Sequence, residues 1–296
     1  MYIISLIERL DLRVSVSKTE VVMFGASEVP DGAGIRIGDA NVPIGSTVKY
    51  LGLTLNSRWT FREHFRRLLP KAKKMAAAIS RLTNIGGPGE RRRRMYASVV
   101  MSVIQYGLPI WAQTVARDRS IIRDVGRLER QLALRVTRAY RTISYDAAAL
   151  LSRIVPIVYN SNRHRRAYLR RRAIIERDGY ITPRVRDDIT EQDERRAINR
   201  RSRGYPGEAV RGVALLDFES WMSRAHGSIS YRMTQIITGH GCFESYLCGI
   251  NRRNSPLCRY CRATSDTNVH TLLFYSFWAE ERREMLQRMK DPTMQL

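Results

Sequence analysis

Acidic residues are scarce in this chain, and histidines are scarcer. Its 296 residues include 28 Asp+Glu against 51 Lys+Arg and only five His, so the formal net charge is +23. A compact fold with that charge repels itself unless a polyanion lies nearby. Most of the basic residues are arginines. A guanidinium forks onto phosphate and stacks on bases. Nucleic acid, RNA or DNA, is therefore the expected partner, ahead of an anionic membrane surface. Long apolar runs are missing too. Met1–Ile7 is ended by Glu8 and Arg9, which is too short for a secretory leader. The stretch from Ala97 to Ala112 is interrupted by Ser98, Ser102, Gln105, Gly107 and Pro109. It is shorter than a bilayer requires. It is predicted as one buried helix, and no membrane partner is expected. The expected location is intracellular, nuclear or cytoplasmic.

Common catalytic signatures are absent as well. No Ser/His/Asp arrangement stands out. Gly86-Gly-Pro-Gly89 lacks the Lys-Ser/Thr that a phosphate-cradling loop needs. The one adjacent aspartate pair, Asp187-Asp188, lies in a polar, arginine-rich stretch. Polymerases and nucleases need close carboxylates for two metal ions. This pair reads instead as the solvated start of a helix.

Enough apolar sequence remains for real cores: 44% of the residues are hydrophobic and 27% charged. The first ten residues read as the last turns of a helix. Residues 12–56 read as strands: Val21–Phe24, then Ile35–Ile37 after the turn-rich Pro30-Asp-Gly32, and Val48–Leu55, with Gly38–Asn41 as a turn. Helices follow. Thr60 and Glu63 fit a capping box ahead of Phe61, Phe65, Leu68, Ala72, Met75, Ile79 and Leu82. Pro70 should kink that helix. A second helix spans Arg91 to Tyr106. A third, from about Ile121 to Tyr140, buries Val125, Leu128, Leu132 and Val136, with arginines largely off that stripe. A fourth follows Asn160 and is rich in arginine. Residues 180–210 read as a linker or an exposed helical hairpin, and 213–238 as amphipathic helices.

The four cysteines all fall between Cys242 and Cys261. Without a secretory signal, such a cluster suggests metal before disulfides. Cys258-x2-Cys261 forms a knuckle that turns two thiolates to one ion, and His270 follows as a third zinc donor. The fourth position falls on Tyr275, a poor ligand. Either Cys242 or Cys248 folds back to complete the set, or the site has three ligands, or it is two reduced cysteines beside a surface histidine.

Six segments in order carry a resemblance. They are Leu12–Glu20, Val48–Leu53, Tyr106–Trp111, Ala139–Ser144, Thr238–Phe243 with Tyr246-Leu247, and the Cys258/Cys261/His270 knuckle. Together they resemble the C-terminal part of the polyprotein of arthropod non-LTR (LINE-type) retrotransposons. That resemblance implies a mainly α fold: a small N-terminal β portion as palm remnant (1–57), a helical thumb (58–160), a basic helix and linker (161–212), and a C-terminal helical segment with the zinc-knuckle-like motif (213–296). It implies Lys18 as the palm lysine that protonates leaving pyrophosphate, and Val48–Leu53 as the primer-grip hairpin. The duplex-binding residues expected from it are Lys71, Lys74, Arg127, Arg130, Arg135 and Arg138. The family's reaction is RNA-directed DNA synthesis with two Mg2+ held by palm aspartates. Those aspartates, and the rest of palm and fingers, belong upstream of Lys18, so the resemblance implies a truncated, inactive polymerase that still binds the template–primer duplex. The alternatives are a stand-alone nucleic-acid-binding protein derived from a transposon, or a non-functional relic.

Overall fold

The computed structural model describes residues 2–25, 30, 32–81, 89–203, 218–224, 227–262 and 264–290. Asp31, Leu82, residues 86–88 of the glycine-rich loop, residues 204–212 of the linker and residues 213–217 at the start of the predicted amphipathic helices lie outside them.

After α1 (Tyr2–Glu8), the N-terminal part is two small sheets. β1 (Val21–Val22) runs parallel to β3 (Ala40–Gly45), and β2 (Gly34–Ile37) pairs antiparallel with β3. β3 lies where a turn is expected from Gly38–Asn41. The turn is tighter, and Ala40 and Asn41 already belong to the ladder. The predicted single strand from Val48 to Leu55 is instead a hairpin of β4 (Thr47–Tyr50) and β5 (Leu53–Asn56). Leu51 and Gly52 both take positive φ, 45° and 82°. Two left-handed residues in succession make the tight turn whose twist matches paired strands. Alternation alone reads straight through it, because Val48, Tyr50, Leu53 and Leu55 are apolar on both sides.

The helices are α2 (Arg62–Arg81), α3 (Glu90–Gln105), α4 (Leu108–Val115), α5 (Arg119–Thr137), α6 (Tyr145–Ser152), α7 (Ile157–Asp178), α8 (Pro183–Arg203), α9 (Phe218–Ser223), α10 (Tyr231–Thr238), α11 (Glu244–Gly249) and α12 (Ala279–Lys290). The fold is mainly helical, as expected. The expected capping box is not formed. Thr60 bonds Asn56 through both its N–H and its Oγ1, and Glu63 turns to Arg66 and Arg67 at 2.7 Å each. α2 continues through Pro70. α3 ends at Gln105, next to the expected end at Tyr106, and the rest of the apolar stretch to Ala112 is a separate helix, α4, bent by 79° from α3. Gly107 (φ 67°) makes the corner, and Pro109 sits in the first turn of α4, where its missing N–H is harmless. No single helix among the described residues is long and apolar enough to cross a membrane.

α5 shows how sequence sets position. Asp118 caps it by accepting from Ser120 and Ile121 N–H. Its carboxyl also takes Arg62 Nε at 2.6 Å, so the starts of α2 and α5 are tied together. That guanidinium, then the two backbone N–H groups against the opposing effect of burial, holds the Asp118 carboxyl below its usual range. One core runs from Leu53 and Leu55 through Phe65, Leu69, Ile104, Trp111, Val125 and Leu128 to Leu150 and Ile157. His64 is buried in it, its Nδ1 accepting from Thr54 N–H, and burial pushes its pKa down. Between Asp146 and Ser152 α6 is an unbroken apolar run, and Ala147–Leu151 are all buried. A helix with no polar face has no amphipathic period to detect.

Residues 183–203 are a helix, not a loose linker. α8 packs on α7, and the seam between them is charged. Asp193 is fully buried between Arg166 and Arg170 at 2.8 and 3.6 Å. Arg163 pairs with Glu194, and Arg171 bonds Thr190 and Arg186 O. Much of the arginine of α7 is thus engaged by partners on α8. Asp187 and Asp188 are exposed on the outer side of α8.

Candidate metal centre and nucleic-acid interface

Backbone hydrogen bonds shape the knuckle. Cys258 N–H bonds Thr264 O, and Arg262 N–H bonds Cys258 O. Arg262 takes φ 53°, which closes the turn and aims Cys258 and Cys261 the same way. Asp266 fastens the loop to α11 by accepting from Glu244 N–H and Thr271 Oγ1. The two sulfurs and a His270 nitrogen lie within 4.8 Å of one another. Cys261 Sγ is 3.6 Å from His270 Nε2. A tetrahedral zinc, with bonds of about 2.3 Å to sulfur and about 2.0 Å to nitrogen, sets such a pair about 3.5 Å apart. The donor set fits a metal ion. Thr264 Oγ1 lies 3.1 Å from His270 Nδ1. By accepting that N–H it leaves Nε2 free to ligate.

The fourth donor is not supplied by Cys242 or Cys248. Neither joins the group, and no fourth His, Cys, Asp or Glu does so among the described residues. Cys242 instead accepts from Arg232 Nη1 at 3.4 Å, and Cys248 sits half-buried in α11. Tyr275 bonds His270 O through its N–H and lies ring to ring with Tyr260. Burial, then Tyr260 and Cys258, pushes its hydroxyl up from its ordinary value.

The basic residues divide sharply. On α2, Phe65, Leu69, Ala72 and Ala76 fill the core, while Lys71, Lys73 and Lys74 are exposed and have no acidic partner among the described residues. On α5, Arg127 is exposed and pairs with Asp124 at 3.0 Å. Arg130 behaves differently from its neighbours: its Nη2 donates to Arg141 O and, at 2.8 Å, to Ile143 O. It holds the turn after α5 and is half-buried. Arg135 is half-buried. Arg138 ends the helix in a left-handed conformation, with its N–H on Leu134 O. Buried Arg93 donates to Val136 O beside it, and desolvation, then the Arg138 charge, pushes the Arg93 guanidinium down. α2 and α5 share one core, so Lys71, Lys74, Arg127 and Arg135 stand on adjoining helices.

A polar cluster joins segments far apart in sequence. Thr142 Oγ1 meets both His240 Nδ1 (2.9 Å) and Tyr246 Oη (2.8 Å). The hydroxyls of Tyr140 and Tyr231 share a 2.6 Å hydrogen bond, which, with burial, pushes Tyr231 up to about 12. Neither charge nor periodicity singles out these residues.

The chain's relatives include the Pol polyprotein of type-1 retrotransposable element R1 4 of Nasonia vitripennis, 23% identical over 262 residues. They include the putative 115 kDa protein of element R1DM of Drosophila melanogaster, at 22% over 284 residues, and the R1 Pol polyprotein of Bradysia coprophila, at 24% over 294. The chain is a homologue of R1 retrotransposon polyproteins. The matches cover 85%, 91% and 90% of the chain but only 66%, 27% and 27% of those relatives. No family model matches it, and no solved structure does. Seen beside its R1 relatives, the chain brings several of its retrotransposon-like segments into contact. Lys18 ends an exposed turn, and Glu20 beside it accepts from Lys49 N–H in β4. Tyr106 Oη donates to Leu51 O in the hairpin turn, and Trp111 Nε1 to Tyr106 O.

Proposed function

We propose that this reverse-transcriptase-related region holds a nucleic-acid duplex against α2 and α5, as a polymerase thumb does, and carries a zinc ion at Cys258, Cys261 and His270. The exposed, unpaired lysine face of α2, opposite a face committed to the core, carries the reading. Lys71, Lys74, Arg127 and Arg135 are its phosphate contacts, with Arg138 at the end of α5; Arg130 serves the fold. Phosphate contacts position a duplex without reading its sequence. RNA-directed DNA synthesis, with Lys18 as proton donor and two Mg2+ on palm aspartates, belongs in this reading to the parent polyprotein.

Duplex affinity is expected to fall steeply with salt, because each neutralised phosphate releases counterions. Replacing Lys71 and Lys74 together by Gln should flatten the plot of log K against log salt by about 2, at roughly 0.9 per contact. Arg172→Gln, which removes a guanidinium paired with Glu176 on α7, should leave the slope alone. Equal slopes in all three proteins would refute the assignment.

Zinc here would hold the knuckle closed. One equivalent of Co2+ should give the intense visible absorption of thiolate-bound tetrahedral cobalt, and Cys258→Ala should remove it. The absence of that band in the unaltered chain would show that the cluster is only reduced cysteines beside a histidine.

A further inference from the structure

An open cleft of about 530 Å³ lies between the start of α3 and the turn that joins α6 to α7. Arg91, Arg94, Arg153 and Arg163 line it together with Asn160 and Ser98, and no acidic residue does. The acids nearby are already shared. Glu90, which is buried, takes Arg94 at 2.8 Å and Arg224 at 3.6 Å, and its other oxygen accepts from Ile229 N–H. Glu194 takes Arg163 from the α8 side at 3.2 Å. Arg91 is exposed and has no partner among the described residues.

Arg153 is the centre of the imbalance. Its Nη1 donates to Arg224 O at 2.6 Å, but its buried Nε has no partner. It takes φ 59° at the end of α6, a backbone position that glycine fills at lower cost. Burial, then the charges of Arg94 and Arg224, lowers its guanidinium to about 10. Asn160, only 4% exposed, also has a side-chain oxygen without a partner. Oxygen and nitrogen of a side-chain amide exchange by a simple flip, so Asn160 can offer an N–H to the cleft. Buried polar atoms without partners are rare and call for an explanation.

We propose that this cleft binds linked phosphoryl groups, with Arg91, Arg94, Arg153 and Arg163 as the oxyanion donors. Guanidiniums match phosphate oxygens bidentately, and a dianion supplies the charge that the surrounding acids do not. The cleft is made by α3, α6 and α7, apart from the lysine face of α2, so it does not rest on the duplex reading. The phosphoryl groups come either from a free polyphosphate, such as a nucleotide tail or pyrophosphate, or from the phosphorylated end of a strand.

Calorimetric titration of the full chain with inorganic tripolyphosphate tests this at 150 mM salt. Saturable one-to-one binding is expected, weakened about tenfold, as the loss of one charge-assisted bond implies, by Arg91→Gln. Arg91 is exposed and has no partner among the described residues, so this variant should stay folded. Arg153→Gln should weaken binding further, with its thermal transition recorded alongside. Arg36→Gln, exposed on β2, should change nothing. A 5′-phosphorylated oligonucleotide that displaces tripolyphosphate when its 5′-hydroxyl twin does not assigns the cleft to a strand end. Displacement by neither assigns it to free polyphosphate. No saturable binding, or equal weakening by Arg36→Gln and Arg91→Gln, overturns the proposal. Duplex salt slopes unchanged in Arg91→Gln keep this test separate from that of the α2 face.

Discussion

Glu129→Ala is expected to lower unfolding free energy by about 3 kcal/mol, the scale set by stranding buried donors opposite a lost charge. In a domain of ordinary stability that is a large fraction of the whole. Glu129 lies on α5 and is 1% exposed. One oxygen accepts Tyr145 Oη at 2.6 Å, and the other accepts Ile157 N–H at 2.8 Å. It therefore fastens the first residues of both α6 and α7 to α5. Glu129→Gln should be much milder, at about 1 kcal/mol, the value of one imperfect neutral hydrogen bond. Its oxygen still accepts from Ile157, and Tyr145 can reverse to accept from the amide. Urea unfolding of the three proteins decides the matter. If Gln is as damaging as Ala, the carboxylate acts through its charge and not through these two bonds.

Gly107→Ala should be comparably damaging. A left-handed backbone penalises a side chain by about 1–2 kcal/mol, and here there is no room. A Cβ on Gly107 would lie 2.7 Å from Leu53 Cδ2, and Leu53 is buried. Displacing a packed core side chain adds about 1–3 kcal/mol. The total expected is about 2–5 kcal/mol, the sum of the two. Gly38→Ala is the control: φ is 59° there, but the added carbon meets nothing within 4 Å. It should lose only the conformational part. Equal losses at the two positions would mean that Leu53 yields freely and the corner is not packed as described.

Gly107 also shows what could be read from the sequence. A glycine and a proline after an apolar run mark a helix end, and the end is where expected. That a second helix starts at once, at 79° to the first, is not marked, because the direction is set by Leu53, a residue 54 positions away in the chain. Long stripes were legible: α2 and α5 were visible in the spacing of Phe65, Ala72, Val125 and Leu128. β4 and β5 merged into one strand because a turn made by a leucine and a glycine carries little local signal. α6 was hidden by its uniform apolarity. At the metal centre, the three donors could be read from spacing alone. The failure of Cys242 and Cys248 to join them could not, since that depends on how α11 is anchored through Asp266. The basic residues were legible as charge but not as roles. Arg130 and Lys71 look alike in sequence, yet one grips two carbonyls and the other faces water.

The charged seam between α7 and α8 therefore constrains how this sequence can drift. On α2, arginine and lysine should exchange with little consequence, since either supplies a diffuse positive charge to solvent. At Arg166 and Arg170 the exchange is not neutral. Two guanidiniums on one helix flank a fully buried Asp193, and a compact, more strongly hydrated ammonium costs more to desolvate there. Copies of this sequence that diverge without selection should lose the lysines of α2 and the arginines of α7 alike. Copies held by folding alone should keep those of α7 while the lysines of α2 wander, and only copies held by what they bind should keep both.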